Sequence, residues 1–417
     1  VKSITTSKSA ELSQLPFWLQ QLFKGLSDLP EGFLTLYYQG VQLQCGNKHS
    51  DLHGSIVIND IKAAKAFALG GAVAASDAYI EGEWDSPDLT AVIRIFARNL
   101  AWLENKAGKL GWLLAPLRAL GHWRNRNTKA GSRKNISAHY DLGNELYEQF
   151  LDATMMYSSA IYQNEQMSLH DAQVYRLDRI CQKLNIQPGD SLIEIGTGWG
   201  GLAIHAAKYY GAKVTTTTLS QQQRDYAVEK IEKEGLADQV TVVMQDYRDL
   251  SGEYDHLVSI EMIEAVGEQY LDGYFKQCAK LLKPTGRALI QAITIEDHRY
   301  DSYKRNMDFI QKHVFPGGHL PSVSRMMNSI GKGTDLVVRH MEEFGQDYAK
   351  TLRAWHENFE NNWDSIKPHG YDERFRRLWR YYLCYCEGGF TERAISVMQF
   401  VMSRNKDQQP AIIGKLS

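Results

Sequence analysis

Long apolar runs are missing from this 417-residue chain: no stretch of about 18 consecutive apolar residues occurs, so no membrane-spanning helix is expected. The opening residues VKSITTSKSAEL also lack the apolar centre of a secretory signal. Cysteine is scarce. The five present (Cys45, Cys181, Cys278, Cys384, Cys386) are odd in number and show no paired zinc spacing, which argues for reduced thiols in a cytoplasm, against a disulfide framework, and for no metal site. An excess of charge of either sign is absent too. With 47 basic and 49 acidic side chains the formal net charge is −2, which disfavours nucleic acid as a partner and leaves charge to be judged segment by segment.

At this length two domains are expected. Residues 1–110 alternate with period two in FLTLYYQGVQLQCGN and GSIVIND, then turn helical through IKAAKAFALGGAVAASDAYIEGEWDSPDLTAVIRIFARNL, the pattern of a small α+β domain. No catalytic cluster stands out there, and Asp77, Glu81, Glu83 and Asp85 are expected on a solvated face. Residues 111–135 change character. Arg118, Arg124, Arg126, Lys129, Arg133 and Lys134 stand there without a carboxylate between Pro116 and Asn135, close to Trp112, Leu113, Leu114, Leu117 and Trp123. Such a basic amphipathic segment suits an anionic membrane surface; an ordinary interdomain linker is the plainer alternative.

The catalytic domain is expected over 136–417, organised around SLIEIGTGWGG, from Ser191 to Gly201. Apolar residues before Gly196, Gly198, Gly200 and Gly201 suggest a buried strand, a sharp turn that approaches a ligand, and a helix. The loop lacks the Lys-Ser or Lys-Thr pair of a phosphate cradle. The following strand, AKVTTTTLS, ends without the acidic residue that a dinucleotide site sets on its ribose. A cofactor without phosphate fits best, and S-adenosylmethionine is the expectation. Glu194 precedes the loop, Gln245, Asp246 and Tyr247 end a third strand where an adenine edge could be read, and the hydroxyls of MMYSSAIY stand close to where a polar tail would lie. Strands alternating with helices from here to Ile295 predict a doubly wound, mostly parallel sheet with ligands at the carboxyl ends of its strands. Glu261, Glu264 and Gln291 fall at such ends. The aromatic segments after Ile295 are expected to form a helical lid around an apolar cavity.

HYDLGNELYEQFLD, YSSAIY, EIGTGWGG, TLSQQQ, QDYRDL, EMIEAVG, FIQKHVFPGGHLPS, FGQDYAKTL and YYLCYCEGGF, in this order, resemble the cyclopropane fatty acid synthase family and the related mycolic acid methyltransferases. The resemblance covers residues 136–404, and the first domain resembles the small lipid-carrier-like module of longer bacterial members. It implies a Rossmann-like class I methyltransferase that uses S-adenosylmethionine, unsaturated acyl chains of membrane phospholipids as substrate, a homodimer, and a peripheral place on the cytoplasmic membrane surface. Tyr157 and Ser158 match the pair near the methionine part of the cofactor, Glu194, Gly196, Thr197, Gly198, Trp199, Gly200 and Gly201 the glycine loop, Thr218, Leu219 and Gln223 the ribose segment, and Gln245, Asp246 and Tyr247 the adenine side. Glu264, Tyr348 and the backbone of Ile293 match groups that hold a bicarbonate ion beside the reacting carbon, a cradle to which the positions of Ser159 and Gln291 also belong. Ser159 stands where the family has Cys and Gln291 where it has His, so an anion would be held less firmly. Cys386 matches a cysteine once assigned as nucleophile. By this resemblance Glu264 is expected to act as the base, directly or through bicarbonate or water, and the place of the base selects a cyclopropane or a methyl-branched olefin.

Overall fold

The structure, a computed structural model, describes residues 2–4, 12–107 and 142–410. The basic segment 111–135 lies outside the described residues.

The first sheet has the order β1-β3-β2-β4-β5, built from β1 (Lys2–Ile4), β2 (Phe33–Tyr38), β3 (Val41–Gly46), β4 (His53–Ile58) and β5 (Trp84–Asp85). The alternating stretch folds as a hairpin of β2 and β3. Gln39 and Gly40 both take positive φ, 45° and 79°, as a two-residue turn matched to the twist of the strands requires. Helices Phe17–Leu26, Ile61–Ile80 and Leu89–Arg98 accompany this sheet. The helical stretch expected after GSIVIND is interrupted: Gly71 breaks its first part at φ 61°, and β5 separates the rest.

The second sheet has the order β11-β12-β10-β9-β6-β7-β8, from β6 (Ser191–Ile195), β7 (Lys213–Thr217), β8 (Val240–Val243), β9 (Tyr254–Ile260), β10 (Leu282–Ile295), β11 (Leu336–Glu343) and β12 (Ile395–Arg404). The first five are parallel along β8-β7-β6-β9-β10, while β12 runs antiparallel to both β10 and β11. Alternation divides the core in two. Leu257, Ala288 and Ile290 pack on one face with helix Leu271–Lys280, and Val258 and Leu289 on the other with helices Leu169–Leu184 and Gly201–Tyr210. Because β6 is flanked by β7 on one side and β9 on the other, the strand order reverses there, and a crevice opens at the carboxyl ends.

Most of the aromatic excess goes into packing. Trp355, Phe359, Trp379 and Phe390, on helices Gly345–Asn361 and Glu373–Thr391, are each at most 2% exposed and belong to one apolar cluster that continues into Tyr79, Trp84 and Ile93 of the first module. Helix Glu373–Thr391 docks on helix Leu89–Arg98, and Gly388 allows the approach, since a Cβ there would stand 2.6 Å from Ile93 Cγ2. Three of the four acidic residues expected on a solvated face, Asp77, Glu81 and Asp85, pair across this junction, Glu81 while still exposed. Asp77 pairs with Lys312 (2.5 Å) and His313 (2.7 Å), Glu81 with Arg374 (2.9 Å), and Asp85 with Arg377 (2.8 Å). Their partners lie far along the chain, so local charge spacing gives no sign of them. Arg377 also donates to Tyr79 O at 2.6 Å and Trp84 O at 2.7 Å.

Candidate active site

The glycine loop follows β6 directly. Gly196, Gly198 and Gly200 take φ of 104°, 51° and 87°, a left-handed region that glycine enters without the steric cost of a Cβ. The amides of Gly196 and Thr197 both donate to Thr217 O at 3.0 Å, which ties the loop to the end of β7. Gly201 opens the next helix under a crossing segment, and a Cβ on it would stand 2.5 Å from Thr154 O and 2.7 Å from Met156 Sδ. That segment continues to Tyr157, whose hydroxyl meets Tyr382 Oη at 2.8 Å, and to Ser158, whose buried hydroxyl has no hydrogen-bond partner among the described residues.

Other residues expected around a cofactor are divided between the crevice and its supports. Thr218 donates to Gln223 Oε1 at 2.9 Å, with Leu219 half-buried between them in sequence. Gln245 is exposed and donates to Asp249 O at 2.7 Å, Asp246 pairs with Arg248 at 2.6 Å, and Tyr247 packs edge-on against Tyr274. Glu194 accepts from Thr216 Oγ1 at 2.6 Å, and burial pushes its carboxyl up to about 8. Trp199 is 1% exposed, donates to Asn144 Oδ1 at 2.8 Å and lies with its ring centroid 4.6 Å from that of Tyr147, so its indole anchors helix Asn144–Phe150.

At the adjacent ends of β9 and β10 the arrangement departs from the resemblance. Tyr348, Ser159 and Gln291 converge on Glu261, not on Glu264. Glu261 Oε1 accepts from the backbone amide of Ser159 (3.0 Å) and from Gln291 Nε2 (2.7 Å), and Oε2 accepts from Tyr348 Oη (2.6 Å). Ser159 takes part through its amide, because its hydroxyl donates to Ala160 O at 2.9 Å. Glu264 sits in the turn Ile263–Ala265. Its Oε1 accepts from Ile293 N at 2.5 Å, and its Oε2 is buried without a partner among the described residues. Burial first, then the charge of Glu261, pushes Glu264 up to about 8. Cys386 lies near Tyr348 and Tyr382, and burial drives its thiol far above the ordinary range. Such a shift disfavours the thiolate that a nucleophile needs.

Sequence reasoning did not find the support behind Glu261. Gln399 Nε2 donates to Gln291 Oε1 at 3.0 Å, and Lys183 Nζ donates to Gln399 Oε1 at 2.5 Å. Arg176, fully buried, donates to Gln173 Oε1 at 2.9 Å and more weakly to Gln291 Oε1 at 3.4 Å. The partners of Arg176 and Lys183 lie up to 216 residues away, so no local pattern marks them.

Residues 127–400 match the family model described as mycolic acid cyclopropane synthetase. The chain belongs to this family. It is 38% identical over 337 residues to the cyclopropane-fatty-acyl-phospholipid synthase of Escherichia coli, covering 80% of this chain and 84% of that one. To the tuberculostearic acid methyltransferase of Mycobacterium tuberculosis it is 36% identical over 348 residues, 82% and 81% of the two chains. Among solved structures, a mycolic acid cyclopropane synthase complexed with SAH and CTAB superposes with a TM-score of 0.60 at 28% identity, over 65% of this chain and 98% of the other. The family member described here is an S-adenosylmethionine-dependent methyltransferase of class I fold. Its own residues fit that cofactor: a loop with glycine at 196, 198 and 200, the unpartnered hydroxyl of Ser158, and no cationic residue of the phosphate-binding kind in the loop. Among the described residues no helix is long and apolar enough to cross a membrane, and no group of three or more His, Cys, Asp or Glu side chains could hold a metal.

Proposed function

We propose that this methyltransferase acts on the cis double bond of unsaturated acyl chains of membrane phospholipids and closes a cyclopropane ring. The observation that carries this reading is the pair of carboxylates, Glu261 and Glu264, at the strand ends beside the glycine loop. Methyl transfer to a nitrogen or oxygen nucleophile ends when its proton is lost to water; transfer to an alkene leaves a carbocation that requires a positioned base.

When bound, S-adenosylmethionine supplies an electrophilic methyl group on its sulfonium. The glycine loop, Tyr157, Ser158, Thr218, Leu219, Gln223 and Gln245 to Tyr247 hold and orient it. The alkene is a weak nucleophile, so alignment and the exclusion of water by the rings of Tyr157, Tyr348 and Tyr382 supply several kcal/mol of the barrier reduction. The face of Tyr348 stabilises the positive charge on the chain, and a carboxylate takes the proton. Loss of a proton from the new methyl group closes the ring. Loss from a neighbouring chain carbon gives a methyl-branched olefin, and the similarity to a tuberculostearic acid methyltransferase favours this as a second reading.

The basic segment 111–135 is the proposed contact with anionic headgroups, and a homodimer would present two such segments. The test is incubation with methyl-labelled S-adenosylmethionine and vesicles of cis-unsaturated phospholipid, followed by mass spectrometry of the released acyl chains. A mass gain of one CH2 in the acyl fraction is expected, with resistance to hydrogenation distinguishing ring from olefin. Label confined to water-soluble products would reject the proposal.

A further inference from the structure

The three donors that close on Glu261 bear on the identity of the base. A free anion such as bicarbonate offers a planar O–C–O group to surrounding N–H and O–H donors, and a glutamate carboxylate offers the same group on a tether. Here the Ser159 amide, the Gln291 amide and the Tyr348 hydroxyl all donate to one side chain of the protein itself.

We propose that Glu261 occupies the anion position of this active site, so that the enzyme carries its proton acceptor as a residue and needs no bicarbonate. The proposal rests on the acyl-methylation reading for its chemistry, and on hydrogen-bond geometry alone for its occupancy.

Two features of the chain support it. The first is directional. Lys183 can only donate, so it fixes Gln399 with its Oε1 toward the ammonium and its Nε2 toward Gln291; Gln291 then accepts on Oε1 and must donate from Nε2 to Glu261. A head-to-tail series of amide dipoles thus runs from Lys183, itself ion-paired with Glu342, to the Glu261 carboxylate, and the N–H at its end favours the ionised form. Both Glu261 oxygens face donors, whereas Glu264 has one backbone amide on Oε1 and none on Oε2. When the pair holds one negative charge, that charge resides on Glu261, and Glu264 is the neutral partner. The second is conformational. Glu261 is a non-glycine residue at φ 49°, a region that costs an L-residue about 1–2 kcal/mol. The turn keeps this cost, and the three long-range hydrogen bonds to the carboxylate over-determine it.

In the step assigned to Glu261, the alkene π pair forms the bond to the methyl carbon while the S–C pair stays on sulfur, which leaves the chain cationic. The Glu261 carboxylate then takes a proton from that methyl carbon. The C–H pair becomes the ring C–C bond, the positive charge is quenched, and the resulting carboxylic acid returns its proton to solvent before the next turnover.

The test compares wild type, Glu261→Gln and Glu261→Gly. Binding of 13C-labelled bicarbonate, in the presence of S-adenosylhomocysteine and without lipid, is followed by NMR. No saturable binding is expected for wild type or E261Q. In E261G a carboxylate-sized space opens between the same donors at a backbone position that suits glycine, so saturable binding is expected. With unsaturated phospholipid in CO2-free buffer, wild type keeps its full rate, E261Q loses at least about 100-fold with or without added bicarbonate, and E261G loses as much but regains at least about 10-fold when bicarbonate is added. One equivalent of bicarbonate on wild type, or a wild-type rate that collapses in CO2-free buffer, overturns the proposal without reference to any variant. So does an E261Q rate within threefold of wild type, or a folded E261G that neither binds bicarbonate nor gains rate from it. If wild type makes no acyl product from any unsaturated phospholipid, the function proposed above fails, while the NMR measurement still decides whether Glu261 fills the anion position.

Discussion

Gly201→Ala tests whether the crossing segment Thr154 to Ser159 couples the glycine loop to the base. The substituted methyl would stand 2.5 Å from Thr154 O and 2.7 Å from Met156 Sδ, whereas carbon and oxygen rest no closer than about 3.3–3.6 Å. The segment must therefore retreat by roughly 0.9 Å at Thr154. It cannot do so by a local swing, because Thr154 is held to Asp152 through N (2.9 Å) and Oγ1 (2.7 Å), and Ala153 O accepts from Lys230 at 2.9 Å. The displacement passes on to Tyr157, Ser158 and the amide of Ser159, which donates to Glu261 at 3.0 Å; an added 0.9 Å or so would take that contact beyond hydrogen-bonding range. From Met156 to Ser159 the extended chain spans only about 10 Å, too little to absorb the shift. A misplacement near 1 Å costs about 100-fold in rate, equivalent to roughly 2.7 kcal/mol, and cofactor affinity should fall by about 10-fold or more because Tyr157 and Ser158 move as well. Stability should fall modestly, because overpacking of this kind costs about 1–3 kcal/mol and the better helix propensity of alanine offsets at most about 1 kcal/mol of it. Calorimetry with S-adenosylhomocysteine, acyl-product rates and thermal unfolding measure the three quantities. A folded variant whose affinity and rate both stay within twofold of wild type would refute the coupling.

Tyr348→Phe removes the hydroxyl donor to Glu261. Loss of a hydrogen bond to a charged group, about 1.5–3 kcal/mol, should lower kcat by about 10- to 150-fold with little change in KM; because burial raises the Glu261 carboxyl and that donor opposes the rise, the acid limb of the pH–rate profile should also move to higher pH. A purely structural role would leave the limb in place. Glu264, with an ordinary value of 4.5 and a folded value of about 8, binds a proton in the native state that the unfolded chain has released between those pH values. Its contribution to stability is full below about pH 4.5 and is lost as pH rises toward 8. Glu264→Gln should accordingly melt higher than wild type at pH 8 and close to it at pH 5, and equal shifts at both would contradict this assignment. Arg377→Ala removes three hydrogen bonds across the module junction from a side chain only 15% exposed. It should destabilise by about 3–5 kcal/mol in urea unfolding, where a loss below about 1 kcal/mol would show that the junction does not depend on it.

Local patterns carried much of the architecture. The period-two runs of β2, β3 and β4 and the strand-glycine-helix sequence from Ser191 were legible because each depends on neighbours a few residues away, through backbone sterics and alternation of faces. The same periodicity set Glu261 and Glu264 at a strand end, hence at the crevice of a doubly wound sheet; Gln291, expected at such an end too, lies within β10, level with the end of β9. Beyond Ile295 the pattern lapsed because β12 returns antiparallel between β10 and β11, after aromatic helices whose burial serves two modules at once.

The direction in which each strand-end residue points was decided elsewhere. Whether Glu261 or Glu264 receives the donors depends on the left-handed turn at Glu261 and on partners 30, 87 and 102 residues away. Asp77, Glu81 and Asp85 likewise found cations 236, 293 and 292 residues later in sequence. A one-dimensional pattern specifies which residues share a face or end a strand, since backbone geometry repeats. Pairing of buried polar groups follows from desolvation, which acts only once distant segments have been packed together.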